Sequence, residues 1–480
     1  YTAATNAAGI PDFATAGNYP SLIELYEDRI IYAATSNEPG KLWGSETGDY
    51  EDFNNAATPS ATDAWEKHPY AKDNNEILWL LAGDALLFGT YAGAFRVGGK
   101  ETVLNPDTVW WPQKQSSVGC ADLPAIMIDE SAIFNQKAGK RLRRFAYQEA
   151  TAKYMTDDIT MLADHITGSG IVELAYQREP YSILWAVNDD GELLSFSYSR
   201  ETGSFGWAAH DLDGEVESVA VIPTTTEDQV WVSVKRYVDG EYTRHIEYFS
   251  PYELDAIEDA HHVWSGVAWE GESAVDVTSI TAANPAVATV TGHPFDNDDL
   301  VRFSGVSGIE RANDVFMVKN KTADDFELYH VDGATTVDFS SETSAGTGGT
   351  VEEVTKTIST LSHLEGESVA PLVDGNPLAE ETVESGEVTL DNYGNKIHVG
   401  LPYTAVLEPM DIPEMQDQKK RIVSILAKLY KSGDFKTGPD TDNMKRVNIQ
   451  DDAPLRLDVP ELVTQNVLKF FPGDWNYRGN

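Results

Sequence analysis

The stretch SILWAVNDDG, residues 182–191, decides how the fold is read. A short apolar run, Ile183 to Val187, carries a central Trp185 and stops at Asp189, Asp190 and Gly191. A run of this length bounded by turn residues is the signature of a buried strand. The same texture returns in IIYAAT (30–35), EILWLLAGD (76–84), AIMIDESAIF (125–134) and QVWVSVKRYVDG (229–240). The centres of the five runs, Tyr32, Trp79, Met127, Trp185 and Trp231, lie 47, 48, 58 and 46 residues apart. A repeat of about 40–50 residues is the length of a four-stranded propeller blade. Gly83-Asp84, Asp190-Gly191, Asp213-Gly214 and Asp239-Gly240 sit between apolar runs, and such dipeptides supply the positive φ of two-residue hairpin turns. The expected class is all-β, a β-propeller platform carrying inserted small β-barrel or sandwich modules. A β-sandwich with coincidental spacing is the rival.

The texture changes near residue 260. Residues 275–355 are rich in Thr, Ala, Gly and Asp, with strands VATVTG, LVRFSG, DVFMVKN and DFELYHVDG, and SSETSAGTGGT (340–350) as punctuation before the last strand. LEGESVAPLVDG to KIHVGLPY (364–403) forms a further small piece. In RIVSILAKLY (421–430) Val423, Ile425, Ala427 and Leu429 alternate, which favours a strand over a helix. The expected divisions are 1–262 for the blades, 263–355 for an inserted β module, 356–402 for a small β module, and 403–480 for strands returning to the propeller.

The 480 residues carry 78 acids against 35 bases, a net charge of −43. Such a surface repels phosphate backbones, because it has no surplus Lys or Arg to displace their counterions. Solubility or a salty medium is the reading that composition alone slightly favours. The one cysteine, Cys120, excludes an intrachain disulfide and a cysteine-rich zinc site, and fits folding in a reducing cytosol. ILWLLAGDALLF (77–88) contains Asp84 and is too short to span a bilayer. The sequence opens on Tyr1 with no charged-then-apolar leader, and reads as a processed chain.

KLWGSETGDYEDF (41–53) gathers Glu46, Asp49, Glu51 and Asp52, yet matches neither an EF-hand loop nor a defined acid pair. It reads as a loop anchored by Trp43, Tyr50 and Phe53. HDLDGEVE (210–217) reads as a hairpin turn at Asp213-Gly214, with calcium the alternative for Asp211, Asp213, Glu215 and Glu217. GESVA (366–370) is an imperfect nucleophile elbow in β-rich surroundings, which makes Ser368 a turn residue. His261-His262 lacks the spacing of a zinc helix, and His165 sits on a short helix expected to be capped by Asp158. The basic cluster Lys140, Arg141, Arg143 and Arg144 is expected to pair with an acidic surface of a neighbouring copy, with DNA as the alternative. No catalytic, cofactor or metal residue is assigned, and no cofactor is expected.

Three stretches, YEDRIIYAATSNEPGKLWGSETGDYEDF (26–53), DDITMLADHITGSGIVELAYQREPYSILWAVNDDGELLSFSYSRE (157–201) and GEVESVAVIPTTTEDQVWVSVKRYVDGEYTRHIEYF (214–249), together resemble the tail nozzle, or tail hub, proteins of short-tailed bacteriophages, also called DNA stabilisation or tubular tail proteins. LEGESVAPLVDG (364–375) and IHVGLPYT (397–404) come next in the family's order. Residues 277–352 resemble the small β module named after the first catalytic-cysteine half-domain (FCCH) of ubiquitin-activating enzymes, without its chemistry, since Cys120 lies outside. The resemblance implies a structural, non-catalytic virion protein assembled in the host cytoplasm. It further implies a homo-oligomer, six copies around the path of the genome, docked on adaptor and portal-side tail proteins, with tail fibres or spikes nearby. Genomic DNA would pass without specific binding, and no membrane-spanning segment is expected. Compared with the family pattern the sequence reads short at both ends. A receptor- or glycan-binding tail or baseplate propeller, using exposed aromatics such as Trp110-Trp111, is the first rival, and a glycan-degrading enzyme the second.

Overall fold

A computed structural model describes residues 11–56, 58–68, 75–98, 103–106, 112–199, 204–252, 256–408, 419, 421–439, 441–447, 449 and 463–470. The chain divides into two compact units, Tyr1–Arg236 with Arg244–Phe249, and Tyr237–Thr243 with Ser250–Asn480.

The first unit is a succession of up-and-down antiparallel sheets. Sheet one is β1 (Leu22–Tyr26), β2 (Arg29–Ala33), β3 (Leu42–Gly44) and β4 (Trp65–Lys67). Sheet two is β5 (Ile77–Ala82), β6 (Leu86–Thr90), β7 (Gly93–Val97) and β8 (Gln113–Ser116). Sheet three is β9 (Ile126–Ile128), β10 (Ser131–Asn135), β11 (Leu142–Gln148) and β12 (Lys153–Asp158). A short helix, α1 (Asp164–Thr167), leads to sheet four, β13 (Ile171–Gln177), β14 (Ile183–Asn188), β15 (Leu193–Ser199) and β16 (Ser204–His210). Sheet five has three strands, β17 (Glu215–Pro223), β18 (Asp228–Val238) and β19 (Glu241–Tyr248).

First strands lie beside first strands: β1 beside β5, β9 beside β13, β13 beside β17. Inner strands meeting inner strands is the relation between propeller blades, and separate meanders of this kind do not make a two-sheet sandwich. The all-β, propeller-like class is therefore what the molecule adopts.

The blade cores explain the sequence pattern. Leu86 and Phe88 of β6 pack into the core shared with sheet one, while Leu87 between them packs into the core shared with sheet three. On β10, Ala132 and Phe134 face sheet two and Ile133 faces sheet four. Both faces of a middle blade are buried, so its strands read as continuous apolar runs without polar alternation. Sheet five differs. On β18, Val230, Val232, Val234, Arg236 and Val238 are buried in strict alternation with more exposed neighbours, so one face is covered and the other open.

First strands begin at Leu22, Ile77, Ile126, Ile171 and Glu215. The five centres fall on β2, β5, β9, β14 and β18, some on first strands and others on second strands, which accounts for their uneven spacing. AIMIDESAIF is not one strand but the β9–β10 hairpin, turned at Asp129 with φ 51. Asp239-Gly240 makes the β18–β19 turn with φ 49 and 82, the mirror-image geometry that matches strand twist. Gly83-Asp84 joins β5 to β6 with neither residue at positive φ. Asp213-Gly214 is not a hairpin turn, because it connects β16 to β17, the passage from one sheet to the next.

In the second unit, strands between Val275 and Glu353 form an eight-stranded sheet. Its strands Leu300–Ser304, Val315–Lys319 and Asp325–Tyr329 turn Val301, Phe303, Phe316, Val318, Phe326 and Leu328 inward at period two. A bridge between Ser307 and Thr347 ties its far edge back towards Leu300–Ser304, curling the sheet towards a barrel. Strand Trp264–Glu270 pairs with Lys396–Leu401, which also pairs with Ser368–Val373. The strand at 264–270, expected to open the inserted module, thus belongs to the smaller sheet, and the eight-stranded module interrupts that sheet. Ser424–Lys428 pairs with Asn466–Phe470, and Phe435–Thr437 with Lys445–Val447, each as a two-stranded sheet.

Cys120 lies fully buried with Trp79 and Phe134 in the core between sheets two and three, and burial pushes its thiol up to about 12. In the native protein the thiol is expected to resist an aromatic disulfide reagent at mildly alkaline pH and to react fully in strong denaturant. Rapid labelling of native protein, followed by absorbance, would contradict this placement.

Candidate functional site

The acidic loop at 41–53 is held from beneath by a buried cation. Arg29 on β2 is 2% exposed, and its guanidinium donates to the carbonyls of Ser45, of Asp63 at 2.9 Å and of Ala61 at 2.9 Å. Trp43 and Phe53 are buried, Phe53 stacks on Tyr32 at 4.9 Å, and Phe13 meets Tyr32, Trp43 and Phe53 edge-on. Tyr50 donates its hydroxyl to Asp28 at 2.9 Å. The three aromatic anchors named from sequence all hold the loop. Its acids serve backbone turns: Asp49 accepts from the Glu51 amide at 3.1 Å, and Asp52 from that of Asn54 at 2.7 Å.

Three members of the basic cluster, Arg141, Arg143 and Arg144, find partners within their own chain. Arg141 pairs with Asp158 at 3.0 Å and Asp164 at 3.2 Å, while Arg143 reaches Asp158 at 3.5 Å and Gln136 at 2.9 Å. Arg144 donates to Ser131 and lies 5.5 Å over the Tyr198 ring. The chain thus itself supplies acidic partners for two of these arginines, Arg141 and Arg143. Asp158 does not cap the helix carrying His165: its carboxylate accepts from Thr160 and the arginines, and α1 begins after Ala163 with no side-chain cap.

Asp211 accepts from the Asp213 amide at 3.1 Å, shaping the passage into sheet five, and buried Arg236 donates to the carbonyls of Leu212 and Asp213 and to the Glu247 carboxylate. Ser368 opens a strand, contrary to its reading as a turn residue, and donates to Glu380 at 2.9 Å. Ser195 on β15 and His210 on β16 share a hydrogen bond of 2.8 Å, a pair the sequence reading missed because fifteen positions separate the two. Burial holds the His210 imidazole below its ordinary value. Ser195 is itself buried on a regular strand, unlike a nucleophile exposed at a sharp turn. Among the described residues, no group of three or more His, Cys, Asp or Glu side chains is placed to hold a metal ion. Trp110 and Trp111 lie outside the described residues.

In the second unit His261 packs against His398, ring centroids 3.9 Å apart. The His398 Nε2 donates to the Glu258 carbonyl at 2.8 Å, while Lys396 bridges Asp259 and Glu270. Burial, then the neighbouring His261, pushes His398 down to about 4.

Two surfaces are conspicuously apolar. On sheet five, Ile222, Ile246 and Tyr248 are at least half exposed, and the Trp231 ring lies tilted against Tyr248 at 5.0 Å. On the ribbon Ser424–Lys428 with Asn466–Phe470, Leu426 stands opposite Leu468 and Ser424 opposite Phe470. Leu426, Leu468 and Phe470 are 58%, 54% and 68% exposed. Residues 419–446 hold eight Lys and Arg against three Asp and Glu, a local net of +5 within a chain of −43. A running count of charge along the sequence finds this segment, which the alternation of its apolar residues concealed.

No protein-family model matches the sequence, and no characterised protein matches it. Solved structures overlap it only loosely. A variant exo-β-1,3-galactanase from Phanerochaete chrysosporium with β-1,3-galactotriose has a TM-score of 0.26 and 10% identity, covering 79% of this chain and 94% of its own. A luciferin-regenerating enzyme has a TM-score of 0.27 and 8% identity, covering 66% and 94%. Likeness at this level carries no argument about fold or function.

The folded protein resists protonation of His398, whereas an unfolded histidine takes its proton near pH 6.5. The stability this site contributes is complete above about pH 6.5 and drains away as pH falls towards 4, on the order of 3 kcal/mol over the window. Urea unfolding of wild type and His398→Gln should show a shallower pH dependence for the variant between pH 7 and 4.5, and equal slopes would refute the assignment.

Proposed function

We propose that this protein is a structural, non-catalytic component of a short-tailed bacteriophage tail, a nozzle or hub ring through which the genome leaves. One observation carries the reading: the stretches that resemble the family coincide with blade units. Residues 214–249 enclose the whole of sheet five, 157–201 run through α1 and the first three strands of sheet four, and 26–53 hold β2, β3 and the aromatic-anchored loop. The resemblance therefore tracks the repeating architecture across several sheets.

The charge supports the same role. A bore lined by a strongly acidic chain would let a phosphate backbone slide, whereas a basic bore would arrest it at each turn. Asp49 and Asp52 of 41–53 are turn-makers, and two arginines of the densest basic cluster, Arg141 and Arg143, are paired with Asp158 and Asp164. Neither is arranged to grip DNA.

Electron microscopy of the purified protein and of phage particles labelled against it tests the proposal. Six-fold rings, and label at the tail base, are the expected results. Selective binding on a glycan array by a protein lacking rings would favour the receptor-binding reading. Release of reducing sugar from host envelope would overturn the non-catalytic one.

A further inference from the structure

Residues 250–263 lead from the last strand of the first unit into strand Trp264–Glu270 of the second. The described end of this passage is strapped down at one spot. Ile257–Asp259 form one turn of 3-10 helix, Ala260 behind it is fully buried, and the next side chain, His261, lies against the His398 ring. Three contacts hold the turn to strand Lys396–Leu401. The His398 Nε2 donates to the Glu258 carbonyl at 2.8 Å, Lys396 pairs with Asp259, and the two imidazoles meet edge to face at 3.9 Å. A lone turn fixes several dihedrals for few hydrogen bonds and does not persist unaided. Its order is borrowed from the strand.

The surroundings of the strap are short of acid. His398 is 4% exposed, and its Nδ1 is buried with no hydrogen-bond partner among the described residues. From the passage, Glu258 meets His398 through its carbonyl, Asp259 gives its carboxylate to Lys396, and exposed His262 follows His261. On the strand itself Lys396 is shared between Asp259 and Glu270, the latter from Trp264–Glu270. On the other side, Ser368–Val373 sets Leu372 opposite His398 and brings no charged side chain. Asp374 beyond it accepts the Lys396 amide at 2.9 Å and pairs with Arg302. A proton on His398 would therefore face a second imidazole and Lys396, with Asp259 and Glu270 already engaged. Like charges this close disfavour one another.

We infer that the His261–His398 pair makes residues 256–262 an acid-released strap, closed at neutral pH and freed from strand Lys396–Leu401 as the pair takes up protons. Burial holds both imidazoles below the ordinary histidine value in the closed state, His398 at about 4, where His261 adds to the effect. Freed, each returns towards about 6.5. The strap is thus complete above about pH 6.5 and is lost as pH falls towards 4. Asp259, which its hydrogen bond with Lys396 holds below the ordinary carboxylate value, stays ionised through this window. Local opening of this kind needs no unfolding of the sheets. Once released, residues 257–262 can span up to about 20 Å, slack that the connection between the units lacks while the turn is docked.

Hydrogen exchange of the full-length chain, read by mass spectrometry and corrected for the pH dependence of the chemical rate, tests this. Peptides covering 256–263 are expected to lose protection roughly twentyfold or more between pH 7 and pH 5, the ratio one histidine gives when its value is about 4 closed and 6.5 free. Peptides from β10 and from Ser368–Val373 should keep theirs. His398→Gln retains an amide N–H for the Glu258 carbonyl but takes no proton, and His261→Phe retains a ring against His398. Each should hold protection better than wild type at pH 5, and the double variant should lose less than about threefold.

Equal losses in wild type and the double variant overturn the strap, as does a segment already unprotected in wild type at pH 7. Loss that spreads at the same pH to β10 or Ser368–Val373 overturns it too, because acid then unfolds a sheet and releases no strap. Where circular dichroism shows that His398→Gln has not folded, His261→Phe against wild type decides, and an unchanged loss at pH 5 refutes the pairing.

Discussion

Burial of both faces of each middle blade is the constraint on which the first unit depends. A four-stranded sheet with two apolar faces has no stable existence alone, so each blade needs a neighbour on either side. Leu87 packing one way while Leu86 and Phe88 pack the other expresses this within three consecutive residues. The requirement passes along the series until something ends it. Sheet five ends it in sequence terms, because β18 switches to strict alternation and presents only one buried face. Side chains within the blades are thus occupied by packing, and chemistry falls to loops and to the open face.

The loops in turn depend on buried arginines more than on their many acids. Arg29 and Arg236 are 2% and 3% exposed, and each collects backbone carbonyls from segments distant in sequence. A guanidinium offers five donors in a rigid fork, which lets one side chain satisfy several carbonyls that would otherwise be buried without partners. Around Arg29 these carbonyls belong to Ser45, Ala61 and Asp63, so the loop of four carboxylates is fixed in place by a cation invisible from its own composition.

The strands of the first unit were legible because burial on two faces leaves dense apolar runs, and because blade length imposes a period. Their grouping was less so. Spacing measured between aromatic centres mixed first and second strands, since Trp79 lies on β5 and Trp185 on β14. The hairpin of the short strands Ile126–Ile128 and Ser131–Asn135 ran together in the sequence because its turn, Asp129-Glu130, lacks glycine. Strand Trp264–Glu270 could not be assigned to its sheet, because its partner Lys396–Leu401 lies across the whole inserted module. The same distance hid the candidate site pairs: Arg141 with Asp158, Ser195 with His210, and His261 with His398 meet only after folding.

The charge of the chain sharpens the question of self-association. Copies at −43 repel one another, and that repulsion acts over a Debye length of about 8–10 Å at physiological salt. Short-range contact can overcome it only where apolar surface is buried and the local signs oppose. On the open side of sheet five Glu215 pairs with Lys235 and Glu217 with Arg244, so the exposed Ile246 and Tyr248 stand in a locally neutral setting within a chain of −43. Salt screens the long-range repulsion between copies and leaves the contribution of such apolar residues largely intact.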